Sequence, residues 1–120
     1  MKRILLCLMV ALFATGCLFA KNNDEKMNVM SYNIRYDNLG DKDNQWKFRR
    51  DFAADLVKFY EADVFGAQEV LNNQLNDLLN RLPEYAYVGV GREDGKTKGE
   101  YAPIFYRKDR FSVDKSGNFW

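Results

Sequence analysis

Two short polar endings carry the residue types that could do chemistry in this chain. Asp63-Val64-Phe65-Gly66-Ala67 is a short apolar strand pattern that runs out into Gln68-Glu69, and Met27 to Ile34 is a second, ending in Asn33-Ile34-Arg35. Amphipathic helix patterns lie on both sides of the first stretch. A strand held between two crossover helices is buried, and its last residues emerge at the carboxyl edge of a sheet, where open α/β sheets place their ligands. A carboxylate there must stay solvated, bind a metal or be satisfied by donors, because burying it unpaired is costly. From this stretch by itself, Glu69 fits a metal ligand and a cap for the following helix about equally well.

The elements around these endings decide whether they can meet. A helix is expected from about Trp46 to Tyr60, capped by Asp43 or Asn44, with Phe48, Phe52, Leu56 and Phe59 or Tyr60 as its apolar face. After Val70, the residues Leu71, Leu75, Leu78, Leu79 and Leu82 repeat at helical spacing until Pro83 stops the helix. This leucine stripe is core packing. Two strands joined through a helix should run parallel, so their carboxyl ends share one edge. If they are neighbours, about 4.8 Å apart, Asn33 and Glu69 can face one cavity. One amide and one carboxylate make a poor calcium or zinc cage. They are a reasonable start for Mg²⁺, which takes one or two carboxylates and keeps waters and phosphate oxygens as its other ligands.

The remaining segments offer less. Tyr36 to Gln45 is a loop rich in Asp, Asn and Gly. Its Asp41-Lys42-Asp43-Asn44-Gln45 run fails as a calcium loop, with Trp46 where Gly is needed and Phe52 where Glu is needed. Tyr85 to Val90 is a third strand pattern. Gly89 to Gly95 superficially suggests a dinucleotide glycine loop, but the third Gly comes one place late and no helix opens after it. Gly91 to Tyr101 is expected to be a long mobile loop with substrate contacts. A fourth strand covers Ala102 to Arg107, with Pro103 marking an edge or an irregular entry. Phe111 to Lys115 is expected to return as its hairpin partner, and the sequence stops after Trp120 as if cut.

Met1 to Ala20 has the form of a secretory signal: Lys2-Arg3, the apolar run Ile4 to Phe13, then small and apolar residues. Both cysteines, Cys7 and Cys17, fall within it. Ala14-Thr15-Gly16-Cys17 has the form of a bacterial lipobox, which would make Cys17 a lipidated first residue; ordinary cleavage before Lys21 is the alternative. Residues 21–26 are then a polar linker, and 27–120 the folded part. Removing Lys2 and Arg3 leaves sixteen basic residues against seventeen acidic ones, a net charge of −1. That excludes the strongly basic field of a generic nucleic-acid binder, although Arg107, Lys108 and Arg110 fall together.

Four blocks in order resemble the endonuclease/exonuclease/phosphatase superfamily: Met30-Ser31-Tyr32-Asn33-Ile34-Arg35-Tyr36-Asp37, then Asp63 to Val70, then Gly89 to Gly95, then Gly99-Glu100-Tyr101-Ala102-Pro103-Ile104-Phe105-Tyr106. The resemblance covers nearly all of the chain beyond the signal, and exported bacterial members are the nearest in appearance. It implies an α/β fold, one half of a four-layer α/β/β/α sandwich of the deoxyribonuclease I type. It also implies hydrolysis of a phosphomonoester or phosphodiester assisted by Mg²⁺ or Mn²⁺. By position, Glu69 matches the family's metal-binding glutamate and Asn33 the asparagine beside metal and phosphate. Tyr106, Arg92 and Glu100 sit where members line the substrate groove. Arg35 stands where some members carry an acidic residue. The family's later Asp-x-Asn pair, late metal-site Asp and terminal Asp-His pair have no counterpart, and the sequence holds no histidine.

The expected function is therefore an exported, metal-dependent phosphoester hydrolase, acting on a nucleotide, nucleic acid or other phosphoester. It would touch membranes only through a lipid anchor and would need no obligate protein partner. The alternative is a truncated, catalytically inactive fragment or a surface-tethered binding module, and the 120-residue chain by itself is expected to be inactive.

Overall fold

A computed structural model describes residues 26–119. The signal segment 1–20 with Cys17, linker residues 21–25 and Trp120 lie outside the described residues. Four strands and two helices make up the rest: β1 (Val29–Asn33), α1 (Trp46–Phe59), β2 (Val64–Gln68), α2 (Asn72–Arg81), β3 (Tyr85–Val88) and β4 (Ile104–Arg107), with a 3₁₀ segment at Leu39–Asn44. The sheet order is β1-β2-β4-β3. β1 and β2 run parallel and in register, Asn33 opposite Gln68. β4 is antiparallel to both of its neighbours.

Alternation along the strands sorts the two faces. Met30, Tyr32 and Ile34 of the β1 segment, Phe65 and Ala67 of β2 and Phe105 of β4 point to the helices, where they join Val57, Leu75, Leu78 and Leu82 in one core. Phe65 and Phe105 stack at 4.5 Å, and Tyr85 meets Phe65 edge-on at 5.6 Å. Val29 and Ile104 lie on the opposite face and are exposed, as an apolar strand face is in a sandwich half without its facing layer. One sheet with two helices packed on a single side is half of a four-layer α/β/β/α sandwich.

The leucine stripe of α2 packs as its spacing predicts, with Leu75, Leu78 and Leu82 buried. α1 forms at its expected place but turns the other way. Phe48, Phe52 and Phe59 are 62%, 68% and 77% exposed, and Tyr60 is exposed beside them. The buried face is Trp46, Ala53, Ala54 and Val57. Both sets recur at helical spacing, so periodicity could not separate them. The smaller set packs because Ala53 and Ala54 let the helix axis approach the sheet closely, where phenylalanines would overfill the gap. Trp46 adds a directed bond, its Nε1 donating to Asp77 Oδ2 at 2.8 Å and tying α1 to α2.

Two boundary expectations are also corrected, and a third is resolved between its two alternatives. The residue before α1 is Gln45, which makes no side-chain cap, so neither Asp43 nor Asn44 serves. Pro103 marks no edge: β4 is central, and Pro103 is buried at its irregular entry, with its carbonyl accepting from Ala67 N–H at 2.9 Å. Phe111 to Lys115 forms no strand. β4 already has a neighbour on each side, so no free ladder edge remains for a hairpin return, and the chain turns away through the Phe111 N–H to Arg107 carbonyl bond. Gly91 to Glu100 folds back on itself, with Arg92 N–H on Glu100 O and Asp94 Oδ1 accepting from Lys96 and Lys98 N–H.

Candidate active site

The register around β2 explains how Glu69 becomes available. Ala67 N–H bonds Pro103 O, and Val70 exchanges both backbone bonds with Tyr101. Between those anchors, Gln68 and Glu69 face the single residue Ala102, which is a β-bulge. Without it, alternation would send Glu69 into the core after Phe65 and Ala67. The extra residue hands the buried slot to Val70 and leaves Glu69 partly exposed. Bulges of this kind re-aim side chains beside functional sites. Glu69 also takes a left-handed backbone, φ 59°, and Arg35 just after β1 does the same at φ 58°. Two non-glycine residues in this costly region, one at each strand end, mark an edge that the surrounding structure holds in shape.

Asn33 and Glu69 meet there. Asn33 Nδ2 donates to Glu69 Oε1 at 2.9 Å, and Tyr36 N–H donates to Oε2 at 3.3 Å. Asn33 Oδ1 accepts from Arg35 N–H at 2.9 Å. Because its oxygen is held by a backbone donor, the amide's orientation is fixed and its nitrogen faces the carboxylate. Hydrogen bonding from Asn33 first, then from Tyr36 N–H, holds the Glu69 carboxyl below the ordinary glutamate range, with a smaller push from the Arg35 charge. Glu69 therefore stays an anion, and both its partners are neutral. The nearby cation is committed elsewhere: Arg35 donates to both oxygens of Asp41, at 3.0 and 3.1 Å. That pairing raises the Arg35 pKa and lowers that of Asp41.

A cavity of about 510 Å³ opens beside this edge, lined by Gln68, Glu69, Arg92, Glu100 and Tyr101 among others. Arg92 and Glu100 form an ion pair at 3.1 Å within it. Tyr106 is not brought there. It lies on β4 opposite Val64, at the amino end of β2, four residues or about 13 Å along the strand from Gln68. A hollow of similar size, lined by Met27, Val29, Met30, Tyr60 and Ala62, lies by the start of β1 and has no carboxylate or cation in its wall.

Among the described residues no group of three His, Cys, Asp or Glu side chains could hold a metal. Glu69 with Asn33 still suits Mg²⁺, because each carboxylate oxygen keeps a free lone pair beyond its one donor, and this ion takes most of its shell from water and phosphate. Sequence reasoning missed two residues that shape the edge. Gln74 is fully buried and bonds both loops; the signal was a polar residue standing in the register of the buried leucines. Arg49 of α1 caps the carbonyls of Ile34, Arg35 and Asn44.

Fold and edge together define a half-sandwich of the deoxyribonuclease I type. No family model matches the chain. Solved structures do. The endonuclease/exonuclease/phosphatase from Bacteroides vulgatus is 54% identical, with a TM-score of 0.74 over 75% of this chain and 34% of its own. The mannosyl-6-phosphatase Bt3783 of Bacteroides thetaiotaomicron VPI-5482 is 43% identical, with a TM-score of 0.78 over 79% and 36%. The CCR4-Not complex 3′-5′-exoribonuclease subunit Ccr4 of Mycosarcoma maydis is 28% identical over 74% of this chain and 16% of its own length. The chain belongs to the endonuclease/exonuclease/phosphatase superfamily, and it spans about a third of the length of the solved relatives it matches.

Proposed function

We propose that the protein is a phosphoester hydrolase that works with Mg²⁺ or Mn²⁺ at the Asn33–Glu69 edge. The observation that carries this reading is the pair itself: an exposed-side carboxylate, held ionised by two neutral donors, at the shared carboxyl end of two parallel strands. Glu69 would hold the metal, which when bound supplies charge neutralisation at the phosphoryl oxygens. Asn33 keeps one N–H beyond its bond to Glu69, free to donate to a phosphate oxygen or an attacking water. Arg92 and Glu100 line the adjoining cavity and would contact the substrate.

The named relatives support phosphoester chemistry and offer two substrate classes, a 6-phosphosugar and RNA. The phosphosugar class has the stronger support, with 43% identity against 28%. Because the chain spans a third of such relatives, the activity belongs to the whole gene product, where further residues would complete the metal shell and activate water. The described residues offer one carboxylate beside Asn33 and no third ligand, which supports the second reading, an inactive or binding-only role for this stretch by itself. Export and lipidation at Cys17 remain part of the proposal on the strength of residues 1–20.

The test is hydrolysis of hexose 6-phosphates and of a single-stranded RNA by the complete gene product, with Mg²⁺, Mn²⁺ or a chelator. Metal-dependent release that disappears in Glu69→Gln is expected. Equal turnover in Glu69→Gln at saturating metal would sink the reading.

A further inference from the structure

Gln74 is the one fully buried side-chain amide in the described core, and none of its bonds serves the core. Its Oε1 accepts from Asp37 N–H at 3.1 Å and from Leu71 N–H at 3.0 Å; its Nε2 donates to Arg35 O at 2.9 Å. Asp37 and Arg35 belong to the loop after Asn33, and Leu71 lies two residues beyond Glu69. One amide thus joins the two segments that carry the candidate site residues. The bond to Leu71 N–H is half of a capping box for α2; the reciprocal half cannot exist, since leucine has no acceptor. A cap alone would explain one bond of the three.

We propose that Gln74 is a positioning residue: it sets the spacing of the β1 and β2 strand ends so that Asn33 Nδ2 and Tyr36 N–H both reach the Glu69 carboxylate. The reasoning is local and mechanical. Arg35 has a left-handed backbone that does not persist unsupported. Its carbonyl is held by Gln74 Nε2 and, at 3.3 Å, by Arg49. Asp37 N–H is held by Gln74 Oε1. Tyr36, between them, is thereby pinned with its own N–H aimed at Glu69 Oε2. On the other strand, the same oxygen fixes Leu71 while Tyr101 fixes Val70 from the far side, so the bulge that presents Glu69 is clamped at its carboxyl-terminal end. A hydrophobic residue would continue the leucine face of α2 and bury more apolar surface. A glutamine there costs desolvation of an amide, and the three bonds that offset it all go to the site's loops.

This inference rests on the metal-site reading of Glu69 for its consequence but not for its geometry, and the experiment separates the two. Mn²⁺ binding by the complete gene product is titrated by electron paramagnetic resonance in the parent, Glu69→Gln, Gln74→Met and Leu78→Ala, and the Tyr36 amide resonance is followed without metal. Gln74→Met keeps length and volume and removes all three bonds; Leu78→Ala weakens the same helix without touching the loops. Gln74→Met should weaken Mn²⁺ binding by about 10–100-fold, the usual cost of losing a ligand's supporting contacts, and shift the Tyr36 amide. Leu78→Ala should do neither. Parent-like Mn²⁺ affinity and an unmoved Tyr36 amide in Gln74→Met would overturn the proposal, as would equal losses in both variants. Mn²⁺ binding that ignores Glu69→Gln would instead remove the metal-site reading, and the Tyr36 resonance would still decide the role of Gln74. Should Gln74→Met fail to fold, Gln74→Glu keeps both accepted bonds and turns the donation to the Arg35 carbonyl into a repulsive contact between two oxygens; a shifted Tyr36 amide then supports positioning, and an unmoved one, or unfolding of both variants, refutes it.

Discussion

β2 has a carboxylate at each end, and the two are treated in opposite ways. Asp63, just before the strand, is buried to 4% side-chain exposure and ion-paired to Arg110, with Asn28 N–H donating to its other oxygen at 2.8 Å. Glu69, just after the strand, has two neutral donors and no cation in contact. Both carboxyl groups sit below their ordinary pKa, Asp63 chiefly through the Asn28 N–H bond with help from Arg110, Glu69 chiefly through Asn33. The depressed pKa therefore does not distinguish them. What differs is neutralisation: Asp63 has its counter-charge inside the fold, whereas Glu69 is kept anionic with its charge unspent. A structural carboxylate carries its own cation, and a candidate metal ligand waits for one from outside.

The sharpest way to break this contrast is to remove the charge at each end in turn. Glu69→Gln in the complete protein should lower metal-dependent turnover by roughly 10³-fold, because the metal's charge stabilisation goes with the ligand, while the thermal melt stays put. A melt lowered along with activity would make Glu69 another Asp63. The packing beneath both ends gives the next effect. Leu78→Ala should cost about 2–5 kcal/mol in a urea melt with Mn²⁺ affinity unchanged. A smaller loss would mean the α2 stripe is less central than its burial implies.

Asp63→Asn comes third, at about 1.5–3 kcal/mol, the worth of hydrogen bonds to a charged group; Arg110 is partly exposed and can turn to water, which keeps the loss at that level. Its pH dependence has a definite sign. The folded pKa lies below the unfolded one, so the stabilisation is complete above the unfolded aspartate value, near 4, and is lost as pH falls through the folded pKa. Chemical melts of the parent and the variant should therefore differ at pH 7 and converge in acid. A gap that widens below pH 4 would contradict the assignment.

How much of this could be read from the sequence follows the same division. The strand endings were legible because short apolar runs that turn polar need only local pattern, and the parallel pairing followed from a helix lying between them. The bulge was not legible: the residues that create it, Pro103 and Tyr101, sit more than thirty positions from Glu69 and act through backbone bonds. Gln74 and Arg49 were missed because their partners are carbonyls and N–H groups, which leave no mark on composition. α1 shows a third kind of failure, since Phe48, Phe52 and Phe59 keep perfect period on the wrong side. Size decided that face, and helical spacing carries no information on how closely a helix approaches its sheet.

The smallest effect probes the cation nearest Glu69. Arg35 makes no hydrogen bond to that carboxylate, yet its charge lowers the Glu69 pKa slightly, and its guanidinium is held over the Tyr36 ring at 4.4 Å and against Asp41. If Glu69 is left free for an incoming cation, Arg35 is a mild competitor acting through solvent. Arg35→Gln should then tighten Mn²⁺ binding about two- to five-fold at low salt, the size of a through-water interaction at this range, and the gain should fade by 0.5 M salt. Stability should scarcely move, because the Arg35–Asp41 pair is exposed. The backbone demand is unchanged, since glutamine faces the same left-handed strain as arginine at this position. Tighter binding that persists at high salt would point to direct contact between Arg35 and the site, and weaker binding would mean that Arg35 supports the Glu69 geometry and does not compete with the metal.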